Sequence, residues 1–346
     1  MAIRNDWKLL EARRSRSGGG RLVCIANQKG GVAKTTTAVN LAAALALRGH
    51  RILVVDVDPQ ANATTGIGLD HRIVEASTYE LLIGKASAGD VIVGTGIPNL
   101  FCAPSALDLA GAEIELAGAM AREQKLAEAL EPIAGEYELV FLDCPPSLGL
   151  LTINALAAAH DLIVPVQCEY YALEGLGQLL ATAERVRRSL NSELRIAGFL
   201  LTMYDGRTKL SSQVSDEVRT HFGSLVYETV IPRSVRLSEA PSFGETVMTL
   251  DPSSRGAIAY GLLGGEVASR YGLAVHVPPP RSSPEPAPPV SRDGELPPGH
   301  GASSERESRV AVPGPGGRGY GARTAEPPAL DERWPRREPW IGEVWR

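Results

Sequence analysis

The residues of this chain that could do chemistry are concentrated at positions 28–37, which read Gln-Lys-Gly-Gly-Val-Ala-Lys-Thr-Thr-Thr. An apolar run at 22–26 precedes this stretch and an apolar-periodic segment at 36–47 follows it, which predicts strand, glycine turn and helix. Such a turn directs backbone N–H groups at one point beside the positive end of a helix, where an anion such as a phosphate binds. Lys34 would add a full positive charge, and the Thr35 hydroxyl could reach a magnesium ion.

This loop departs from the common phosphate-loop pattern, which places glycine six residues and one residue before the lysine. Gln28 and Ala33 occupy those two positions, and a second lysine, Lys29, lies five residues before Lys34. Lys34 already neutralises the phosphate oxygens, so Lys29 is predicted to point outward. There it would reach the nucleotide of a second copy of the chain, as an arginine finger does. The alternative is a tight turn with two solvated lysines.

Carboxylates follow two apolar runs that are predicted to be strands. Residues 52–56 lead to Asp58, and residues 139–143 end at Asp143. An acidic residue at the end of a strand beside a phosphate loop usually contacts the metal, directly or through water. Asp143 is therefore predicted to hold magnesium through water, and Asp58 to contact it through water while orienting the attacking water. Asp56 lies within its strand and is predicted to be structural. The alternative for Asp143 and for Asp58 is a turn carboxylate at the end of a strand.

The wider pattern of the chain predicts the elements that position these residues. Apolar runs alternate with helical patterns between residues 21 and 274. Strands that are apolar throughout and separated by helices indicate an α/β fold with a mostly parallel, twisted sheet covered on both faces. The predicted strands are 22–26, 52–56, 139–143, 162–166 and 196–202. The predicted helices are 36–47, 123–130, 173–189 and 212–222. Ligands of such sheets bind at the carboxyl ends of the strands.

Composition divides the 346 residues into three regions. Residues 1–20 are predicted to be a flexible basic leader, 21–274 the α/β domain, and 275–346 a disordered tail, since 15 of the 25 prolines lie beyond position 277. The tail ends with Trp334, Trp340 and Trp345 among arginines, which indicates either a docking segment or no function.

The net charge is −5 for the chain and −9 for residues 22–274, so DNA contact would require a local basic patch.

The cysteines and the apolar runs of the sequence indicate the cellular compartment of the protein. The four cysteines form no C-x-x-C pair, so buried, reduced thiols in a cytosolic protein are expected. The arginine-rich start lacks an apolar core, and no run of 18 apolar residues occurs. We therefore expect neither a secretory signal nor a membrane span.

With these residues and motifs, the chain resembles the ParA/Soj-type partition ATPases of the deviant Walker A family, whose loop reads Lys-Gly-Gly-x-x-Lys-Thr. The resemblance covers residues 21 to about 270. It includes Asp56-Val-Asp-Pro-Gln-Ala-Asn-Ala-Thr and Leu142-Asp-Cys-Pro-Pro-Ser. The matching stretches also include 109–116, 164–176 and 231–242. Ala33 replaces the glycine common in that family, and its methyl group would oppose a positive φ.

The resemblance implies an ATP- and Mg²⁺-dependent nucleotide-sandwich homodimer that hydrolyses ATP slowly and is stimulated by a partner. Lys29, Lys34 and Asp58 would be its catalytic residues, with Thr35 as a magnesium ligand. Pro232 and Arg233 match the stretch near adenine. The implied nucleotide-binding set is Lys29, Gly30, Gly31, Val32, Ala33, Lys34, Thr35, Thr36, Pro232 and Arg233.

The resemblance also implies non-specific binding of double-stranded DNA and a ParB-like centromere-binding partner in the cytoplasm, on the nucleoid. The matching DNA-contact positions are Arg207 and Arg236, with Lys209 beside the first. Two other functions remain open. A membrane-positioning ATPase similar to MinD would need a C-terminal amphipathic helix, for which only 340–346 is a candidate. A relative of nitrogenase iron protein would need cysteines that bridge a cluster between subunits, and no suitable pair is evident.

Overall fold

A seven-stranded sheet forms the centre of the computed structural model, which describes residues 20–169 and 175–274. The strands are β1 Arg21–Ile25, β2 Ile52–Asp56, β3 Val93–Gly94, β4 Leu100–Ala103, β5 Leu139–Asp143, β6 Asp161–Gln167 and β7 Arg195–Thr202. They are ordered β3-β4-β2-β5-β1-β6-β7, and every neighbouring pair is parallel except β3 with β4. The predicted, mostly parallel sheet is therefore confirmed.

All five predicted strands are present, and their bounds agree with the prediction to within one residue. The sequence pattern did not predict β3 and β4. Strand β4 has only four residues, between Asn99, whose φ is 65°, and Pro104. A strand of that length is too short to show an alternating pattern.

Helices connect the strands within the described ranges. They are α1 Lys34–Ala46, α2 Asn62–Gly66, α3 Thr78–Leu82, α4 Ala88–Val91, α5 Leu109–Glu115, α6 Lys125–Leu130, α7 Leu150–Ala158, α8 Leu176–Ser189, α9 Lys209–Phe222, α10 Val235–Glu239, α11 Val247–Leu250 and α12 Arg255–Arg270. The predicted helix 123–130 is a 3₁₀ turn at Arg122–Gln124 followed by α6. The predicted helix 173–189 is α8, and residues 173 and 174 lie outside the described part of the chain.

Alternate residues of each central strand enter two separate cores. Val23 and Ile25 lie in one core with the apolar faces of α1 and α12, whereas Leu22 and Cys24 lie in the other with residues of α6, α7 and α8. Because a strand places successive side chains on opposite faces, helices must cover both faces to bury strands that are apolar throughout. This arrangement leaves the carboxyl ends of the strands as the edge where connecting loops form a site.

Close packing of α12 against α1 and α10 depends on glycine. A Cβ at Gly264 would lie 3.2 Å from Ala44 Cβ of α1, and one at Gly256 would lie 2.8 Å from Leu237 Cγ of α10. The sequence pattern did not predict α12, because its four glycines lower helix propensity. Tertiary packing overrides that propensity, since only glycine lets the backbone approach so closely.

The structure also bears on the predicted cysteines, membrane spans and regions of the chain. The four cysteines are free and buried. Within 20–169 and 175–274, no helix has the length and apolar character needed to cross a bilayer. The described residues fall in one compact unit. Residues 1–19 of the predicted leader and all of the predicted tail lie outside them, so the three-region division stays a prediction.

Candidate nucleotide site

The loop between β1 and α1 ends in an N-terminal helix turn that no side chain caps. α1 begins at Lys34 without a side-chain hydrogen bond at its N-cap and without an acidic residue in its first turn. The first N–H groups of a helix have no intrahelical partner and carry the positive end of the helix dipole. This turn therefore offers its N–H donors to an anion, as the sequence predicts.

Two positions of the loop adopt left-handed backbone conformations. Gly31 has φ 73°, and Ala33, which is the N-cap of α1, has φ 67° and ψ 36°. The conformation costs glycine nothing, whereas an alanine methyl group approaches the following carbonyl oxygen. The strain expected from a positive φ at position 33 is therefore present, and the helix begins two residues earlier than the predicted residue 36.

Replacing Ala33 with glycine should stabilise the protein by about 1 kcal/mol, because the left-handed strain is removed without loss of packing. The melting temperature of the nucleotide-free protein should rise by roughly 2–4 °C. Ala38→Gly is the matched control in the interior of α1, where the same change removes a buried methyl group and should lower the melting temperature. An Ala33→Gly protein no more stable than the wild type would contradict the strain argument.

A cavity of about 330 Å³ lies against this loop. Its other walls come from segments distant in sequence, including Met203 after β7 and the Ala240–Phe243 turn after α10. The volume lies within the range of small-molecule sites. The lining residues are Gly30, Gly31, Ala33, Lys34, Thr35, Thr36, Val39, Asn40, Asp58, Asn62, Gly66, Pro146, Met203, Ala240, Pro241 and Glu245.

Lys34 is the buried cation of the site. Its side chain is 7% exposed, and Nζ donates a hydrogen bond to the Lys29 carbonyl oxygen at 3.1 Å. Burial lowers the pKa of Lys34, while the charges of Asp143 and Asp58 oppose that shift. An ammonium group has three donors, and one of them is used by the described residues, so Lys34 can donate to further acceptors such as phosphate oxygens.

Asp143 and Asp56 lie opposite each other on the adjacent strands β5 and β2, and both are fully buried. Asp56 accepts hydrogen bonds from the Thr64 amide at 2.8 Å, the Thr64 hydroxyl at 2.7 Å and the Asp58 amide at 3.1 Å. Burial is the main cause that raises its pKa, to about 6. These bonds agree with the structural role predicted for Asp56.

Neither carboxylate oxygen of Asp143 has a hydrogen-bond partner among the described residues. Burial raises the pKa of Asp143 well above its usual value, and the charge of Asp56 raises it further. The Thr35 hydroxyl and Lys34 lower it, although the hydroxyl lies outside hydrogen-bond geometry. A buried carboxylate without a partner is costly and is typical of a group that serves a ligand. Its oxygens are the donor type that magnesium prefers, so the site fits that ion.

Asp58 lies at the cavity wall and is 6% exposed. Its Oδ1 accepts a hydrogen bond from the Gln60 amide at 3.0 Å, and its own amide donates to Asp56. The loop after β2 therefore holds this carboxylate in place, facing the cavity that the phosphate loop also lines.

Most of the predicted nucleotide-binding residues line the cavity. Val32 instead is buried, and its carbonyl oxygen accepts a hydrogen bond from Thr202 Oγ1 at 3.1 Å, which ties the loop to β7. Lys29, Pro232 and Arg233 lie outside the cavity lining. Arg233 is exposed and pairs with Glu169 at 3.5 Å. The roles of these residues toward a nucleotide stay predictions.

Several cavity residues were not predicted. Ala240 and Pro241 fall within the matched stretch 231–242, where the sequence assigned them no role. Met203, whose φ is 50°, and Glu245 carry no pattern in the sequence that marks a ligand site.

The predicted DNA-contact residues lie on two neighbouring segments at the carboxyl edge of the sheet. The Tyr204 amide donates to the Ile231 carbonyl oxygen, and the Arg233 amide donates to the Tyr204 carbonyl oxygen, both at 3.0 Å. This pairing places the loop that carries Arg207 beside the segment that leads to Arg236. Both arginines are exposed, and so is Lys209, the first residue of α9.

The parallel sheet, the glycine loop at an uncapped helix start and the adjoining cavity define a P-loop-type nucleotide-binding protein. Residues 20–196 match the AAA domain family. The chain is 54% identical to the sporulation initiation inhibitor protein Soj of Bacillus subtilis (strain 168) over 250 residues, which are 72% of this chain and 99% of that protein. It is 52% identical to the chromosome partitioning protein ParA of Caulobacter vibrioides (strain NA1000 / CB15N) over 252 residues, 72% of this chain and 94% of that protein. The chain belongs to the ParA/Soj family of chromosome-partitioning ATPases.

A solved structure supports the fold. Cobyrinic acid a,c-diamide synthase from Mycobacterium smegmatis, with bound ADP and magnesium, superimposes with a TM-score of 0.65 at 38% sequence identity. The match covers 75% of this chain and 98% of that one.

Proposed function

We propose that this chain is an ATP hydrolase that dimerises when ATP binds, holds double-stranded DNA without sequence preference and drives chromosome or plasmid segregation with a ParB-like partner. The observation that carries the ATPase assignment is the buried pair of Lys34 and Asp143 beside the uncapped start of α1. The site has unused donors for phosphate and an unpartnered carboxylate for magnesium. The Soj and ParA relatives support the link to segregation.

Each residue of the site has a role in this proposal. The N–H groups at the start of α1 and the Lys34 ammonium group bind the phosphates, since no side chain caps that helix start. The Thr35 hydroxyl and, through water, Asp143 and Asp58 hold magnesium. Magnesium, when bound, supplies positive charge beside the phosphate oxygens. Asp58 orients the attacking water, because its carboxylate lies at the cavity wall and is fixed by the loop after β2.

Lys29 completes the site of a second copy of the chain. Its side chain is outside the cavity lining although it is in the same loop as Lys34. A cation that reaches the nucleotide only across a dimer would make hydrolysis depend on dimerisation and respond to a partner that adjusts the dimer. Slow hydrolysis, stimulated by the ParB-like partner, follows from this arrangement.

DNA binding in this proposal comes from Arg207, Lys209 and Arg236. A few cations that contact phosphates bind DNA without reading its sequence and lose affinity as salt rises. Dimerisation would present two copies of the patch at once, which raises avidity. The protein would then lie on the nucleoid in the cytoplasm.

Arg236→Glu tests the DNA surface. We expect the affinity of the ATP-bound protein for a random-sequence duplex to fall at least about tenfold, with a salt slope reduced by about 1 per protomer. ATP affinity should be unchanged, since Arg236 does not line the cavity. Fluorescence anisotropy of labelled duplex with ATP, with ADP and without nucleotide, at several salt concentrations, measures each quantity.

The matched control is Arg188→Glu, which reverses an exposed, ion-paired arginine near the end of α8, where the chain returns to the amino edge of the sheet. This variant should bind DNA as the wild type does. Unchanged DNA affinity of Arg236→Glu would place the DNA surface elsewhere. Strong liposome binding without DNA binding would favour a MinD-like membrane-positioning ATPase.

A further inference from the structure

The arginines of the predicted DNA surface are held by carboxylates of their own chain. Arg207 makes a two-point pair with Asp205, with Nη2–Oδ2 2.7 Å and Nε–Oδ1 2.9 Å. Arg236 Nη1 lies 3.1 Å from Glu239 Oε2, and its Nε lies 3.4 Å from Asp251 Oδ2. We call Asp205, Glu239 and Asp251 the carboxylate clamp.

The two segments that carry these arginines have no net charge. Residues 203–210 and 231–251 contain four basic and four acidic residues. Because the acidic side chains adjoin the arginines, a DNA phosphate that approaches either arginine meets a negative charge at the same place. The surface of one protomer is therefore a weak attractor for DNA, although it holds several cations.

Each pair joins an exposed arginine to a partly exposed carboxylate: Asp205, Asp251 and Glu239 are 19%, 28% and 43% exposed. A phosphate can therefore reach the arginine of each pair from solvent. The side chains of Arg207 and Arg236 are 89% and 56% exposed. Ion pairs in such positions are individually weak, and a phosphate accepts the same two-point hydrogen bonds from a guanidinium group as a carboxylate does. The hydrogen bonds from Arg207 keep the pKa of Asp205 well below its usual value, so this carboxylate is ionised at neutral pH.

Two of the three clamp residues adjoin walls of the nucleotide cavity. Glu239 directly precedes Ala240 and Pro241, and Asp205 follows Met203 by two residues; all three of these neighbours line the cavity. A nucleotide bound in the cavity would therefore lie against the chain next to Asp205 and Glu239.

We propose that the carboxylate clamp is an autoinhibitory contact that competes with DNA phosphates for Arg207 and Arg236. A single protomer then binds DNA too weakly to stay bound, and two protomers are required. This inference rests on the DNA-binding function proposed above. It adds that acidic residues, as well as the arginines, set the dependence of DNA binding on ATP.

Neutral, nearly isosteric variants test the clamp. In Asp205→Asn, Glu239→Gln and Asp251→Asn the arginine remains and its competitor loses its charge. Each variant should bind a random-sequence duplex about 2- to 5-fold more tightly at low salt, and the triple variant at least about tenfold. The slope of log K against log salt should become steeper by up to about 1 per freed arginine, because no carboxylate takes up a cation when DNA binds. The ratio of affinities with ATP and with ADP should fall.

Glu184→Gln is the matched control, since Glu184 pairs with Arg187 and Arg188 on α8, away from the carboxyl edge of the sheet. It should leave DNA affinity unchanged. If the wild type binds DNA and the clamp variants bind no more tightly than Glu184→Gln, the clamp is wrong and the proposed function stands. If neither the wild type nor the triple variant binds DNA at low salt with ATP, both the DNA-binding function and the clamp are wrong.

Discussion

Replacing Lys34 with alanine is expected to abolish nucleotide binding. The Lys34 side chain is the buried cation of the loop, and its removal takes away charge-assisted hydrogen bonds to phosphate that contribute about 1.5–3 kcal/mol each. ADP affinity should therefore fall at least about 100-fold. The fold should persist, because burial already opposes the charged form of Lys34. The measurement is the melting temperature with and without Mg·ADP at one fixed concentration, since a ligand stabilises by an amount that grows with the logarithm of its concentration divided by its Kd.

Lys29→Ala is the control for this experiment, because it removes the same side chain from the same loop at a position outside the cavity lining. Its ADP-induced rise in melting temperature should match that of the wild type, while ATP hydrolysis should be lost if Lys29 acts across a dimer. A Lys34→Ala protein that keeps its ADP-induced shift would show that the nucleotide binds elsewhere.

The second large effect is expected from Asp143→Asn, which should stabilise the nucleotide-free protein and weaken its binding of Mg·ATP. An ionised carboxylate without a hydrogen-bond partner costs about 1–3 kcal/mol when buried, and the amide removes that charge without changing the shape. The melting temperature should rise by roughly 2–4 °C for each kcal/mol gained. Affinity for Mg·ATP should fall about 10- to 100-fold, as for other groups that hold a metal through water.

The stability that Asp143→Asn gains over the wild type should decrease as the pH falls. The folded state holds the pKa of Asp143 above its usual value, so on acidification the folded chain binds this proton before the unfolded chain does. Between the raised pKa and about 4, the ordinary value, the wild type gains stability as pH falls. The stability difference between Asp143→Asn and the wild type should therefore be largest above the raised pKa and shrink as pH falls toward ~4.

Asp56→Asn is the matched control for Asp143→Asn, since the two carboxylates are in register on neighbouring strands and both are fully buried. Asp56 accepts three hydrogen bonds, and an amide at that position turns an N–H group toward existing donors. This variant should be destabilised by about 1–3 kcal/mol. If both variants change the free energy of unfolding in the same direction, the presence of hydrogen bonds at Asp56 and their absence at Asp143 do not determine the effect of the two substitutions.

Much of the fold could be predicted from the sequence because its elements are marked locally. Strands β2 and β5 are continuous apolar runs that end at acidic residues, and the loop before α1 has two adjacent glycines and a lysine–threonine pair. Helix α12 could not be predicted, because its glycines disfavour a helix in isolation and serve close packing against α1 instead. Strand β4 was too short to carry a pattern.

By itself, the sequence determined the chemistry at the carboxyl edge of the sheet: a phosphate loop with Lys34 and Thr35, and acidic residues at the ends of two strands. Those features depend on residue type and on spacing over a few positions, which a chain carries before it folds. Only the tertiary structure decided that Asp56 is satisfied while Asp143 lacks partners, that Ala33 is left-handed, and that Arg207 and Arg236 are paired with carboxylates. The tertiary structure also brings Met203, Ala240, Pro241 and Glu245 to the cavity beside the phosphate loop. These properties depend on which groups meet when segments far apart in sequence pack together, and no local pattern encodes that.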